Sequence, residues 1–200
     1  DKLLFIENLA RMRQISLESQ WHDADDVVGW FELERFSNGL QLFKKDRLLI
    51  DYTDMLQLFL DRGRAPKLDV MFVDEAQDLS PLQWAVVRKL CESADRIYIA
   101  GDDDQAIYRW AGADVDHFIN LEGGSETLSQ SYRIPRDVHE VAENVVKRIT
   151  SRFPKRYEPR SDRGCVSRIT TVNSLDMSEG EWLILSQAGY QLTPVANDLR

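Results

Sequence analysis

The sequence predicts an α/β protein in which a parallel sheet with flanking helices follows an N-terminal helical segment. Three observations carry this. Apolar residues in the first 66 positions recur at helical spacing. Two short continuous apolar runs then follow, Val70–Val73 (VMFV) and Ile97–Ala100 (IYIA), a pattern suited to buried parallel strands. Between them Ser80-Pro81 opens a helix, with Ser as N-cap and Pro at the first helical position. Strand, helix, strand over about 30 residues is a βαβ unit.

The elements follow in order. Leu3, Leu4, Ile6, Leu9 and Ala10 mark a first helix. Val27, Val28, Trp30 and Phe31 follow the acids Asp23, Asp25 and Asp26, which suit a helix N-terminus. Thr53 is placed to cap a helix carrying Met55, Leu56, Phe59 and Leu60, and Arg62–Pro66 (RGRAP) breaks it. The helix after Ser80 carries Leu82, Ala85, Val86 and Leu90. A third strand is predicted over Glu126–Ser129, after Gly123-Gly124. Pro135 starts the clearest helix, with Val138, Val141, Ala142, Val145, Val146 and Ile149 on one stripe. Ser151–Gly164 is basic and reads as a linker or long loop. Strands are predicted near Val166–Val172 and Trp182–Ser186, and Thr193-Pro194 opens a helix running to Arg200.

Composition excludes several classes. With 25 Lys+Arg against 34 Asp+Glu the formal charge is −9, a poor balance for wrapping duplex DNA by bulk charge, though a narrow basic groove remains open. No apolar run is long enough to span a membrane, and no N-terminal signal pattern is present. Cys91 and Cys165 lie far apart and read as reduced, buried residues of a cytoplasmic protein. With 3 His and 2 lone Cys, zinc lacks a ligand set. The first residue is Asp1 and the last helix signal meets Arg200, so the chain is expected to be a piece of a larger protein.

The chemistry concentrates in three blocks. VDEAQD (73–78) follows the first apolar run, so Asp74 and Glu75 fall where α/β sheets bind ligands. Asp74 can hold a hydrated Mg²⁺ and Glu75, pointing the other way, can serve as general base toward a water. That is the Walker B arrangement of P-loop NTPases. A solvated strand end with a helix-capping acid is the plainer reading. The second block is Gly101–Gly112 (GDDDQAIYRWAG). Gln105 can donate to a phosphate oxygen and orient water, while Tyr108 and Trp110 can form a stacking platform for bases or be ordinary core residues. The third is Leu128–Pro135 (LSQSYRIP), where Arg133 offers a guanidinium for phosphate and Tyr132 a ring for a nucleobase.

In order and spacing the three blocks resemble motifs II, III and IV of the UvrD/Rep/PcrA-like superfamily 1 DNA helicases. Arg47–Leu56 (RLLIDYTDML) resembles the segment that precedes motif II in these proteins, and the likeness is strong over roughly residues 40–150. Residues 181–200 (EWLILSQAGYQLTPVANDLR) resemble a later strand and helix less closely. The resemblance implies a RecA-like P-loop NTPase fold. Residues 1–40 would be a helical segment of the 1B insertion, 41–125 part of the first motor lobe and 126–200 the start of the second. It implies ATP and Mg²⁺ as cofactors, with Asp74 on the metal and Glu75 activating water and touching the metal through water. Gln105 would sense the γ-phosphate, Tyr132 stack on adenine and Arg133 act as an arginine finger. Tyr108 and Trp110 would contact single-stranded DNA, and single-strand/duplex junctions are implied as substrates. Repair or replication partners are left unidentified, and no membrane is implied.

The sequence departs from the family pattern at Ala111, where Arg is frequent, and at Ser131, where Asn is common. No GxxxxGK[ST] occurs in the 200 residues, and only Gly29, Gly39 and Gly63 precede residue 100. The adenine-recognition glutamine and the later arginine motif are missing too. Two other readings stand beside the helicase one: a degenerate, non-hydrolysing binding module, and the motor subunit of a recombination-type helicase–nuclease.

Overall fold

Local signals account for the first half of the chain. The computed structural model describes residues 1–24, 28–172 and 175–198. Helices α1 (Lys2–Arg13), α2 (Leu17–Asp23), α3 (Trp30–Arg47) and α4 (Tyr52–Arg62) come first. They are followed by β1 (Leu68–Val73), α5 (Pro81–Cys91), β2 (Ala94–Ile99) and α6 (Val115–Ile119). Further on lie α7 (Arg136–Val146) and α8 (Leu192–Asp198). The chain divides into two units: Asp1–Thr127 with Val146–Arg156, and Leu128–Val145 with Tyr157–Arg200.

In the first unit β1 and β2 pair in parallel, Leu68 against Ala94 through Val73 against Ile99, with α5 as the crossover. The helix starts as its sequence requires. Ser80 Oγ accepts the Gln83 N–H and Gln83 Oε1 accepts the Ser80 N–H, a capping box worth about 0.5–2 kcal/mol, with Pro81 behind it. Leu82 and Trp84 of this helix are fully buried. Each such side chain contributes roughly 1.5–3 kcal/mol. Trp84 meets the edge of His117 from α6, ring centres 4.6 Å apart. Lys89 donates to the Phe59 and Leu60 carbonyls at 2.9 and 2.6 Å, supplying a cation to the last turn of α4. Ile6 and Ala10 of α1 and Leu33 of α3 complete the core at the helical end.

Several sequence expectations change. Asp51, not Thr53, caps α4: Asp51 and Asp54 form the capping box, while Thr53 is buried and its hydroxyl donates to Asn8 Oδ1 at 2.6 Å. An aspartate one turn ahead of an acid outcompetes a threonine already inside the helix. Asp23 closes α2 and pairs with Arg13 at 2.9 Å instead of opening α3, which starts after Gly29. Asp25, Asp26 and Val27 lie outside the described residues, as do Leu199 and Arg200. The thiol of Cys91 is half-buried, and burial pushes its pKa up, whereas Cys165 is exposed.

The chain from Glu126 onward departs most from expectation. Glu126–Ser129, Val166–Val172 and Trp182–Ser186 are not strands among the described residues. The ladder there is a single parallel bridge from Gln130 to Glu158. Their apolar side chains stay out: Leu128, Leu183 and Leu185 are each at least 80% exposed. An apolar run becomes a strand only where a neighbour takes its amides and carbonyls. Helix α7 stops at Val146, so Ile149 lies beyond its stripe.

Candidate active site

The two strand ends converge on one small region. The Ala100 N–H donates to the Val73 carbonyl at 2.7 Å and the Ala76 N–H to the Ala100 carbonyl at 3.0 Å, which locks the VDEAQD turn against Gly101. A Cβ on Gly101 would lie 2.5 Å from Gln77 Oε1 and 2.8 Å from the Phe118 ring, so a larger residue would have to displace Gln77 and Phe118. Asp74 and Glu75 lie past the end of β1, so their orientation is not set by the strand pleat that the sequence suggests. Glu75 instead takes a left-handed backbone, φ 52°, a conformation costing about 1–2 kcal/mol for a residue with a Cβ. The Asp74 Oδ1 accepts the Glu75 N–H at 2.9 Å, and both residues are exposed.

Glu75 is held by a residue that sequence reasoning passed over. Gln77 is 1% exposed. Its Nε2 donates to Glu75 Oε2 at 2.8 Å, and its Oε1 accepts the Asp102 N–H at 3.0 Å. Asp102 in turn accepts from Gln105 Nε2 with Oδ2 at 2.7 Å. The two predicted catalytic side chains of this unit, Glu75 and Gln105, are thus joined through Gln77 and Asp102. Asp78 sits close by, where burial and the neighbouring Glu75 raise its carboxyl pKa.

The triad Asp102–Asp104 faces inward onto a basic segment that the sequence suggests is a linker. Arg152 grips Asp104 with two bonds, Nε to Oδ1 at 2.8 Å and Nη2 to Oδ2 at 2.6 Å. Lys155, its side chain 5% exposed, pairs with Asp102 at 2.9 Å, with Asp104 at 3.2 Å and with Asp103. The Phe153 N–H donates to Asp103 Oδ2 at 2.7 Å. Burial alone would raise the Asp102 carboxyl, but the bonds from Gln105 and Lys155 outweigh it and leave it below the usual range. Lys155 shows the mirror case: burial would lower it, and Asp103 and Asp102 hold it above the usual lysine value. Three adjacent acids that need cations, and a basic run further along, were the available signal.

Tyr108 and Trp110 are not core residues; they are 46% and 66% exposed. Trp110 stacks on Phe5 of α1, ring centres 6.1 Å apart, and borders an open groove of about 620 Å³ with Leu9, Arg13 and Arg109. Arg109 is paired with Asp116 at 3.1 Å. Tyr132 and Arg133 belong to the second unit, and Tyr132 is 85% exposed. Ser131 Oγ accepts the Arg133 and Ile134 N–H groups at 3.4 and 3.2 Å, so serine supplies a local bond at the position where the helicases often carry asparagine.

Among the described residues no group of three or more His, Cys, Asp and Glu could hold a metal ion. Mg²⁺ does not require one, because it keeps waters and takes one or two carboxylates plus substrate phosphates. An exposed Asp74 at a strand end, next to Glu75, fits that donor set. No described helix is long and apolar enough to cross a membrane.

Comparison with known proteins bears on the family of the chain. The chain is 33% identical over 103 residues to ATP-dependent DNA helicase PcrA of Bacillus subtilis (strain 168), covering 49% of this chain and 14% of that protein. It is 30% identical over 143 residues to DNA helicase II of Escherichia coli (strain K12), covering 64% of this chain and 20% of the relative. The chain therefore spans no more than a fifth of the length of these relatives. Residues 10–124, more than half the chain, match the UvrD/REP helicase N-terminal domain, and the chain belongs to that family.

Proposed function

We propose that the chain is a motor segment of an ATP-dependent DNA helicase that couples ATP hydrolysis to movement on single-stranded DNA and to unwinding at single-strand/duplex junctions. In this reading residues 1–40 belong to a helical insertion, 41–125 to a first RecA-like lobe and 126–200 to the start of a second. The hydrogen-bonded path Glu75–Gln77–Asp102–Gln105 is the observation that carries it, since it ties a candidate base to a candidate phosphate sensor.

Asp74 would hold Mg²⁺ with its exposed carboxylate. An ion held there would supply positive charge to offset that of the phosphate oxygens. Glu75 takes the proton of the attacking water as the water oxygen bonds to the γ-phosphorus and the ADP oxygen leaves. The hydrogen bond from Gln77 to Oε2 leaves Oε1 of Glu75 to face that water. Gln105, exposed and linked to Glu75 through Asp102 and Gln77, donates to the γ-phosphate or holds the water through its carbonyl. Tyr132 would stack on adenine and Arg133 would reach the γ-phosphate when the lobes close. Tyr108 and Trp110, exposed beside a groove, would take unpaired bases.

The direct test is Glu75→Gln in the full-length protein carrying this segment. Single-strand-stimulated ATP hydrolysis should fall about 10²–10⁴-fold, the range for a general base, with ATP affinity nearly unchanged. Comparable turnover in the variant would remove Glu75 from the mechanism. The 200-residue chain alone, lacking GxxxxGK[ST], should show no DNA-stimulated turnover.

A further inference from the structure

We propose that Lys155, supported by Arg152, is a positioning residue for the hydrolytic site: it fixes Asp102, and through Asp102 it fixes both Gln105 and the Gln77 that holds Glu75. The proposal rests on the assignment of Glu75 and Gln105 above, and it concerns residues that no motif of the sequence marks.

Three consecutive carboxylates repel one another, and Asp103 and Asp104 are almost wholly buried at their side chains, 3% and 6% exposed. Without cations these groups would turn outward to water. That change would move the short turn Asp103–Gln105, because that turn is tied to the same acids. The Asp104 N–H donates to Asp102 Oδ1 at 3.2 Å and the Gln105 N–H to the Asp102 carbonyl at 2.9 Å. Lysine is almost never this buried unless paired, and here it is paired with all three acids.

The division of labour at Asp102 makes Lys155 more than a counter-charge. Asp102 receives Lys155 on Oδ1 and the Gln105 side chain on Oδ2. A carboxylate locked on one oxygen presents the other in a fixed direction. Gln105 must then give its NH₂ to Asp102 and turn its carbonyl away from the triad. The Asp102 backbone N–H simultaneously orients Gln77, whose amide reaches Glu75. One ammonium therefore bears on both Gln105 and Glu75. Arg152 and the Phe153 N–H hold Asp104 and Asp103, which keeps the ammonium centred.

The experiment compares Lys155→Met, Lys155→Arg and the charge-compensated pair Asp103→Asn/Lys155→Met in the full-length protein, with Glu75→Gln as reference. In nucleotide-free protein, hydrogen exchange of the Asp104, Gln105 and Ala106 amides should rise about 10-fold or more in Lys155→Met, with α5 unchanged. Single-strand-stimulated kcat should fall about 10-fold or more with KM for ATP within about 2-fold, as for a displaced catalytic group. Lys155→Arg should recover most of both losses. If Lys155→Met does not fold, the compensated pair, which removes one acid together with the cation and leaves the net charge unchanged, should show the same kcat loss. Unchanged exchange in the turn, or unchanged kcat in a folded variant, would overturn the proposal while Glu75→Gln remained inactive. An active Glu75→Gln would instead overturn the site assignment itself.

Discussion

Two clusters in the first unit bury cations among carboxylates, and they serve different ends. At the helical end Arg11 of α1 and Lys44 of α3 converge on Asp51 and Asp54 at the start of α4, with distances of 2.7–3.0 Å. At the strand ends Arg152 and Lys155 converge on Asp102–Asp104. Both join segments about 40 or more residues apart in sequence. The first cluster terminates in a helix cap: Asp51 and Asp54 are the capping box of α4, and no predicted site residue touches them. The second terminates in Gln105 and, through the Asp102 N–H and Gln77, in Glu75. The comparison teaches that the number of ion pairs says little about function. What matters is which side chains share their acceptor atoms.

The largest expected effect lies outside both clusters and sets the scale for them. Arg133→Ala in the full-length protein should lower kcat about 10³-fold or more while ADP affinity holds, since ADP has no γ-phosphate. Equal loss of ADP and ATP affinity at unchanged kcat would remove the finger role. Next comes Gln77→Leu, which cuts the link between the two halves of the active cluster. Melting should show a loss of about 1–3 kcal/mol, because the partners of a buried amide go unsatisfied. A kcat loss beyond the folded fraction would mark the link as functional, and its absence would reduce Gln77 to a structural role. Trp110→Ala should weaken single-stranded DNA binding by about 1–3 kcal/mol with little change in melting temperature, measured by fluorescence anisotropy and a thermal melt. The exposure of Trp110 means that a large stability loss would contradict the assignment.

The smallest effect belongs to the helical cluster. Burial would raise the Asp51 carboxyl, but Arg11, the Asp54 amide and Lys44 hold it well below the usual carboxylate range. A depressed folded pKa contributes stability above the unfolded value near 4, and that stability is lost as pH falls through the folded value. Asp51→Asn should therefore lower stability at neutral pH and flatten its decline below about pH 4. The Asp51 side chain is 36% exposed, so solvent screening limits the change to about 1 kcal/mol or less. Thermal melts from pH 3 to 7 would check it, and a steeper acid decline in the variant would contradict it.

Much of the site was legible because its chemistry is contiguous. The parallel β1/β2 pair, the Ser80-Pro81 helix start and the places of Asp74, Glu75 and Gln105 at the strand ends follow from local runs. Lys155 and Arg152 were not legible, because their partners stand 48–53 residues away and nothing in a basic loop says which acids it meets. Gln77 hid inside a motif whose neighbours draw the attention. The strands expected at 126–129, 166–172 and 182–186 failed for a different reason: hydrophobic runs encode a capacity to pair, and pairing also needs an edge to accept it.

One comparison of variants tests the difference between the two clusters most directly. Lys44→Met and Lys155→Met each remove one ammonium from a pair or trio of carboxylates, and each should lower the melting temperature. Single-strand-stimulated kcat, corrected for the folded fraction, should stay within about 2-fold of the parent in Lys44→Met and fall about 10-fold or more in Lys155→Met. Equal kcat losses in the two variants, or none in either, would contradict the claim that only the strand-end cluster positions the hydrolytic groups.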